Sequence, residues 1–136
     1  TEAEWEKAAR GTDGRIYPWG KSISPENASY RDPESGDPGV GATVNVNTYA
    51  AGASPYGALN MAGNVWEWVN DYYDRAYYAQ RPSRNPTGPA SGSRRVLRGG
   101  SWLVSGSELR AANRHWNSAI STLGFVGFRC AKTAAP

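Results

Sequence analysis

Apolar positions in "TEAEWEKAARG" (residues 1–11) recur at helical spacing, with Trp5, Ala8 and Ala9 on one face. Thr1 and Glu4 have the spacing of an N-terminal capping box, and Gly11 stands where such a helix would stop. The pattern then breaks. Residues 12–55 are rich in Gly, Pro, Asp, Asn and Ser, and only "ATVNVN" (42–47) alternates as a short strand would. In "VWEWV" (65–69), Trp66 and Trp68 share one face and Val65, Glu67 and Val69 the other, which predicts a buried strand. After the turn-forming stretch "RPSRNPTGPASGSR" (81–94), "RVLRGGSW" (95–102) and "VGFRCA" (126–131) predict two further short strands, with a short helix or turn in "SELRAANR" (107–114). Alternation in the last strand places Cys130 with Val126 and Phe128, and so predicts a buried, structural thiol. One stretch fits neither period. "HWNSAISTLGF" (115–125) carries Trp116, Ile120, Leu123 and Phe125 in what reads as a loop.

Six Trp and eight Tyr beside sixteen Gly in 136 residues suggest a single loop-rich domain with large aromatic anchors in its core. The net charge of +3 comes from arginines scattered through the chain, without a basic run or a nucleic-acid motif, so nucleic acid is not an expected partner. No apolar run approaches the ~18 residues of a membrane span, and no charged start leads into an apolar segment as in a secretory signal. The single Cys130 permits neither an internal disulfide nor a cysteine-based zinc site.

Six stretches taken in order, "TEAEWEKAARG", "YPWG", "MAGNVWEW", "NPTGP", "RVLRGGSW" and "GFRCA", resemble the formylglycine-generating enzyme (sulfatase-modifying factor) domain over nearly the whole chain. The resemblance implies an α+β, C-type lectin-like fold, loop-rich with short antiparallel strands and few helices. It also implies one domain over 1–136, with the family's usual N-terminal strands missing. Oxidase members of the family use two copper-binding cysteines placed after "GGS", and the matching positions here are Val104 and Leu109. Neither side chain can be a thiolate or a metal ligand, so neither copper nor a catalytic residue is expected. The family's sulfoxide synthases need an iron site, which one histidine, His115, does not make, and iron is not expected either.

Ser101, His115 and Asp71 could be imagined as a hydrolase triad, but no "GxSxG" elbow occurs. Carbonyls two apart in an extended segment point the same way, so Gly63, Val65 and Glu67, with Asn60, could form an oxygen cage for calcium. The resemblance implies a calcium ion at these four positions; the alternative is that Glu67 pairs with an arginine. A second family site would fall on Asn27, Ala28 and Asp37. The two glycines of "RGGSW" fit a tight backbone approach in the core, and Arg98, Arg110, Arg114 and Arg129 are read as clamps on carbonyls and carboxylates.

Some lectin-like members of the family are the variable proteins of diversity-generating retroelements, in which error-prone reverse transcription replaces adenines in a C-terminal stretch of the gene. That stretch corresponds here to a variable region over 99–130, and in relatives it is dominated by asparagines. Leu103, Val104, His115, Asn117, Ser118, Leu123, Gly124 and Phe125 are all reachable by randomising the first two bases of an asparagine codon; Trp116 is not. Shuffled-looking residues confined between fixed strand motifs are what a rigid scaffold with a diversified binding surface requires. The expected ligand-binding residues are therefore Leu103, Val104, Ser105, Gly106, His115, Trp116, Asn117, Ser118, Ile120, Leu123, Gly124 and Phe125. Trp116, Ile120, Leu123 and Phe125 would be apolar anchors, and His115, Asn117 and Ser118 adaptable polar groups. The expected function is a non-catalytic scaffold binding a protein or other macromolecule, with display on a cell or virus surface implied by the resemblance. The alternatives are an oxidoreductase of altered chemistry and a plain non-catalytic domain of the family.

Overall fold

The computed structural model describes residues 1–32 and 42–132. Helix α1 (Glu2–Arg10) forms as its end signals predict: Thr1 Oγ1 accepts from the Glu4 N–H, the Glu4 carboxylate reaches back to the Thr1 amine, and the Gly11 N–H closes on Lys7 O. Trp5 and Ala9 are buried on its inner face. Strand β1 (Trp66–Tyr72) follows, then the short helix α2 (Tyr77–Gln80), strand β2 (Arg94–Arg98), a 3-10 turn at Gly106–Leu109, strand β3 (His115–Ser118) and strand β4 (Val126–Gly127). They form one sheet in the order β3-β2-β1-β4. The β3–β2 and β2–β1 pairings are antiparallel, and β1–β4 is parallel.

Two apolar clusters flank this small sheet. Trp5, Ala9, Met61 and Ala111 lie under α1, while Tyr17, Ala28, Tyr30, Ala62 and Leu109 form the second, with Trp19 and Val104 packed against it. Between the layers sits Arg98, at 0% exposure. Its Nη2 donates to Glu6 Oε2 at 2.6 Å and to Ala111 O at 3.0 Å, its Nη1 donates to Asn113 O, and its Nε lies 3.6 Å from Glu2 Oε1. A fully buried guanidinium needs its charge balanced, and α1 supplies both carboxylates; the Nη donors are bonded, while Nε is buried without a hydrogen bond.

Three local expectations fail, each for a visible reason. "ATVNVN" is not a strand among the described residues, because asparagine side chains take the place of a partner strand: Asn64 brackets Val44 with bonds to its N–H and C=O, and Asn60 Nδ2 donates to Val46 O. The strand in "VGFRCA" ends after two residues, and Phe128 (75% exposed) and Cys130 are out in solvent, so the thiol is not a core group. Beyond Gly127 the chain is held by a side chain instead of a backbone ladder: the Arg129 guanidinium donates to Glu67, Leu59 O and Asn60 O. Conversely, the first four residues of the apparent loop 115–125 form strand β3 at the sheet edge.

The glycines of "RGGSW" do serve close approach. Gly99 and Gly100 have φ of 93° and 75°, and a Cβ on Gly100 would lie 2.8 Å from Leu109 Cδ1.

Replacing Arg98 by Met, which fills the space without the charge, should cost about 3 kcal/mol or more in urea unfolding, because Glu2 and Glu6 lose their shared counter-charge. Adding Glu6→Gln, which leaves the Glu2–Arg114 pair in place, should recover part of the loss; no recovery would mean that packing, not charge, is what Arg98 supplies.

Candidate functional site

The two segments proposed to vary are held beside the same short stretch of chain. Asn64 O accepts the Trp102 N–H at 3.0 Å, Trp66 N donates to Phe125 O at 2.9 Å, and the Trp66 ring lies 5.2 Å from that of His115. Residues 103–106 and 115–125 thus leave from either side of 64–66, the entry to β1.

Within these segments the side chains divide by environment. Leu103 (40% exposed), His115, Ile120 (92% exposed) and Gly124 face solvent, and a Cβ on Gly124 would meet nothing within 4 Å. Val104 is half-buried against the Tyr17 cluster, and its carbonyl accepts from Arg31 N. Ser105 Oγ bonds Ser107 Oγ at 2.9 Å, and Gly106 is crowded by Ile23. Asn117 Oδ1 braces the turn after β3, accepting from Ser118 N and Ser121 Oγ. Leu123 O closes that turn from Val126 N, and Leu123 and Phe125 are half-buried.

Trp116 is half-buried, with the Arg94 guanidinium 3.6 Å over its ring and Tyr73 at 5.9 Å. The Tyr73–Trp116 contact belongs to a longer row. Arg114 lies 5.0 Å from the Tyr73 ring and 4.4 Å from the Tyr78 ring, and Arg81 covers Tyr78 at 4.3 Å. Arg114 is held in the row by a two-point pair with Glu2, at 2.6 and 2.8 Å. Burial first, then the nearby Glu2 charge, raise the Tyr78 phenol above its ordinary range. Sequence reading missed Tyr73, Tyr78, Arg81 and Arg94 as a group, although the arginine and tyrosine interleaving of "YYDRAYYAQR" was available as a signal.

Of the imagined triad, Ser101 is fully buried, Asp71 accepts the Glu2 N–H at the start of α1, and His115 packs on Trp66; none hydrogen-bonds another. Leu109 is fully buried and Val104 packs on the same cluster, so apolar contacts occupy both positions that the resemblance matched to metal-binding cysteines.

At the first calcium position, Glu67 is 5% exposed, and its carboxylate accepts from Trp5 Nε1 at 2.7 Å and from Arg129 at 2.6 and 2.7 Å. Asn60 Oδ1 is buried with no hydrogen-bond partner, an oxygen that a hard cation would satisfy. No group of three or more His, Cys, Asp or Glu side chains converges among the described residues, so an ion here would rely on amide and carbonyl oxygens. Arg129 engages both Glu67 oxygens and also donates to Asn60 O at 3.0 Å, so the arginine pairing weighed as the alternative is formed and Asn60 Oδ1 is the oxygen left without a partner. At the second position, Asn27 Nδ2 donates to Ala51 O, Ala28 belongs to the core, and Asp37 lies outside the described residues.

Residues 1–134 match the family model of the sulfatase-modifying factor enzyme 1-like domain. The chain is 40% identical over 146 residues to a formylglycine-generating enzyme of Streptomyces coelicolor, covering 98% of this chain and 46% of that protein. It is 42% identical over 136 residues to the serine/threonine-protein kinase pkn1 of Chlamydia pneumoniae, covering 97% and 20%. Among solved structures, Treponema denticola variable protein 1 matches with a TM-score of 0.75 at 30% identity, over 94% of this chain and 44% of that one. PvdO from Pseudomonas aeruginosa matches with a TM-score of 0.77 at 24% identity, over 94% and 49%, a likeness of fold. The chain spans less than half the length of each of these proteins.

Asp71 offers a test of the site's electrostatics. Burial, the largest influence, raises its pKa, against the lowering by the Glu2 N–H that it accepts. A carboxyl with a raised folded pKa favours the folded state most when protonated; that contribution is complete below its unfolded value of about 3.9 and is lost as pH rises through the folded value. The melting midpoint of the wild type relative to Asp71→Asn, which keeps an acceptor for Glu2 N, should therefore fall as pH rises through this window. A constant difference across it would show that the folded pKa is unshifted.

Proposed function

Because the chain belongs to the sulfatase-modifying factor enzyme 1-like family and has its C-type lectin-like fold, we propose that it is a non-catalytic binding scaffold, the variable protein of a diversity-generating retroelement. The observation that carries this reading is the division of side chains in the two segments. Solvent-facing Leu103, His115, Ile120 and Gly124 can be exchanged without disturbing the apolar clusters, while the backbone beneath them is closed by strands and by bonds to 64–66. A surface that changes on a frame that does not is what diversified recognition needs. Its ligand would be a protein or other macromolecule. The likeness in fold to Treponema denticola variable protein 1 supports the reading, as does the apolar packing of Val104 and Leu109 where the oxidases carry thiols.

Sequencing this gene and its flanking DNA across the source population should show variation confined to codons around 103–106 and 115–125, opposite adenines in a nearby template repeat. A uniform segment without a repeat would remove the proposal. On the protein, alanine at Ile120 or Leu103 should change stability by less than about 0.5 kcal/mol, whereas Val104→Ala should cost about 1 to 2 kcal/mol.

The similarity to formylglycine-generating enzymes favours one competing reading, an oxidase of altered chemistry. An aerobic assay with copper and a peptide bearing the sulfatase cysteine motif should yield no formylglycine, and any product would establish the enzyme instead.

The same reading includes a calcium ion held by Asn60, Gly63, Val65 and Glu67, supported by the unpartnered Asn60 Oδ1. Calcium should raise the melting midpoint of the wild type and a chelator should reverse the rise. Asn60→Gly, which suits the φ of 51° at this residue, should abolish the calcium response whatever its own stability. A wild type indifferent to calcium would eliminate the ion.

A further inference from the structure

The row of cations and rings beside β3 has an order: Arg81, Tyr78, Arg114, Tyr73, Trp116, Arg94. Each guanidinium lies against at least one ring, and the central Arg114 lies against two tyrosines. Arg114 is neutralised by Glu2, which fixes the middle of the row. The ends differ. The guanidinium groups of Arg81 and Arg94 are in exposed residues and make no ion pair or hydrogen bond among the described residues. Asp74, next to Tyr73 in the chain, turns its carboxylate to the Ala76 N–H at 2.6 Å.

We infer that this row is an interaction surface for an acidic polypeptide segment, whose separated carboxylates are received by Arg81 at one end and Arg94 at the other. A guanidinium held over a ring by its Cζ, 4.3 Å for Arg81 and 3.6 Å for Arg94, keeps all of its N–H donors unbonded within the described residues and available for a two-point bond to a carboxylate. The ring faces of Tyr78 and Trp116 already carry guanidinium groups, which disfavours partners that bind by stacking, such as nucleobases or sugar rings. A phosphate or sulfate cluster wants several donors converging on one point, whereas here a neutral aromatic spacer stands between successive cations. Single, spaced charges match Glu or Asp side chains along an extended chain. Arg81, Tyr78, Arg114, Tyr73 and Arg94 lie outside residues 103–106 and 115–125, while Trp116, under Arg94, lies within them, so the Arg94 end rests on a position that the variable-protein reading would exchange and the Arg81 end does not.

The test is binding of a short oligoglutamate peptide to the protein at low and physiological salt, followed by titration calorimetry or fluorescence anisotropy. Arg81→Gln with Arg94→Gln should weaken binding by roughly 10-fold or more, while Lys21→Gln with Arg110→Gln, equal in charge but outside the row, should change it by less than about 2-fold. Both arginines are exposed, so unchanged melting midpoints should accompany the loss, and each single variant provides a second measurement if the pair is unstable. Equal weakening by both pairs would reduce the effect to net charge and overturn the assignment. So would absence of binding, or tighter binding of heparin than of oligoglutamate with the same dependence on Arg81 and Arg94. None of these outcomes bears on whether codons 103–106 and 115–125 vary.

Discussion

A single buried charge organises this molecule. Arg98 ends β2 with no exposure to water, and a guanidinium in that position is stable only where carboxylates and carbonyls come to it. Glu2 and Glu6 bring α1 across the sheet, while Ala111 O and Asn113 O bring in the turn that precedes β3. Helix, sheet and edge strand are thus fastened at one point, and the neighbouring groups follow from it. Glu2, drawn in by Arg98, also receives Arg114, and its backbone N–H is taken by Asp71 from β1. With four short strands and two small apolar clusters among the described residues, ion pairs and carbonyl contacts do what hydrophobic area does in a larger domain.

Much of this was legible in the residues. The capping box and Gly11 delimit α1, "VWEWV" and "RVLR" mark the central strands, and the glycines after Arg98 announce a crowded backbone. What escaped was long-range. Nothing local in "ATVNVN" says that Asn60 and Asn64, well downstream, will occupy its hydrogen-bonding groups. Nor does alternation in "VGFRCA" reveal that pairing with β1 stops at Gly127, with the Arg129 side chain bonded to Glu67 and Cys130 left in solvent. Strand β3 was hidden because its residues need satisfy only one neighbour, β2, so no hydrophobic period was imposed on them.

The candidate surface was partly legible for a related reason. The limits of the proposed segments could be drawn from the fixed motifs around them, but composition did not separate residues that face outward from those that brace the frame. Asn117 resembles an adaptable contact residue in sequence and is a turn brace in the fold; Ile120 resembles a core residue and is nearly fully exposed. The arginine and tyrosine row could not be assembled from sequence, since α2, β1, β2 and β3 each contribute to it or flank it.

The two-residue strand β4 sets a rule for how the preceding segment can change. Residues 115–118 are registered on β2 and residues 126–127 on β1, with Arg129 locked to Glu67 just beyond. The span between them has its length fixed at both ends, but little of its chemistry. Exchange of one side chain for another leaves both registers in place, whereas adding or removing a single residue would have to be absorbed by a two-residue pairing or by the Arg129 clamp. This architecture admits variety in spelling and forbids variety in length.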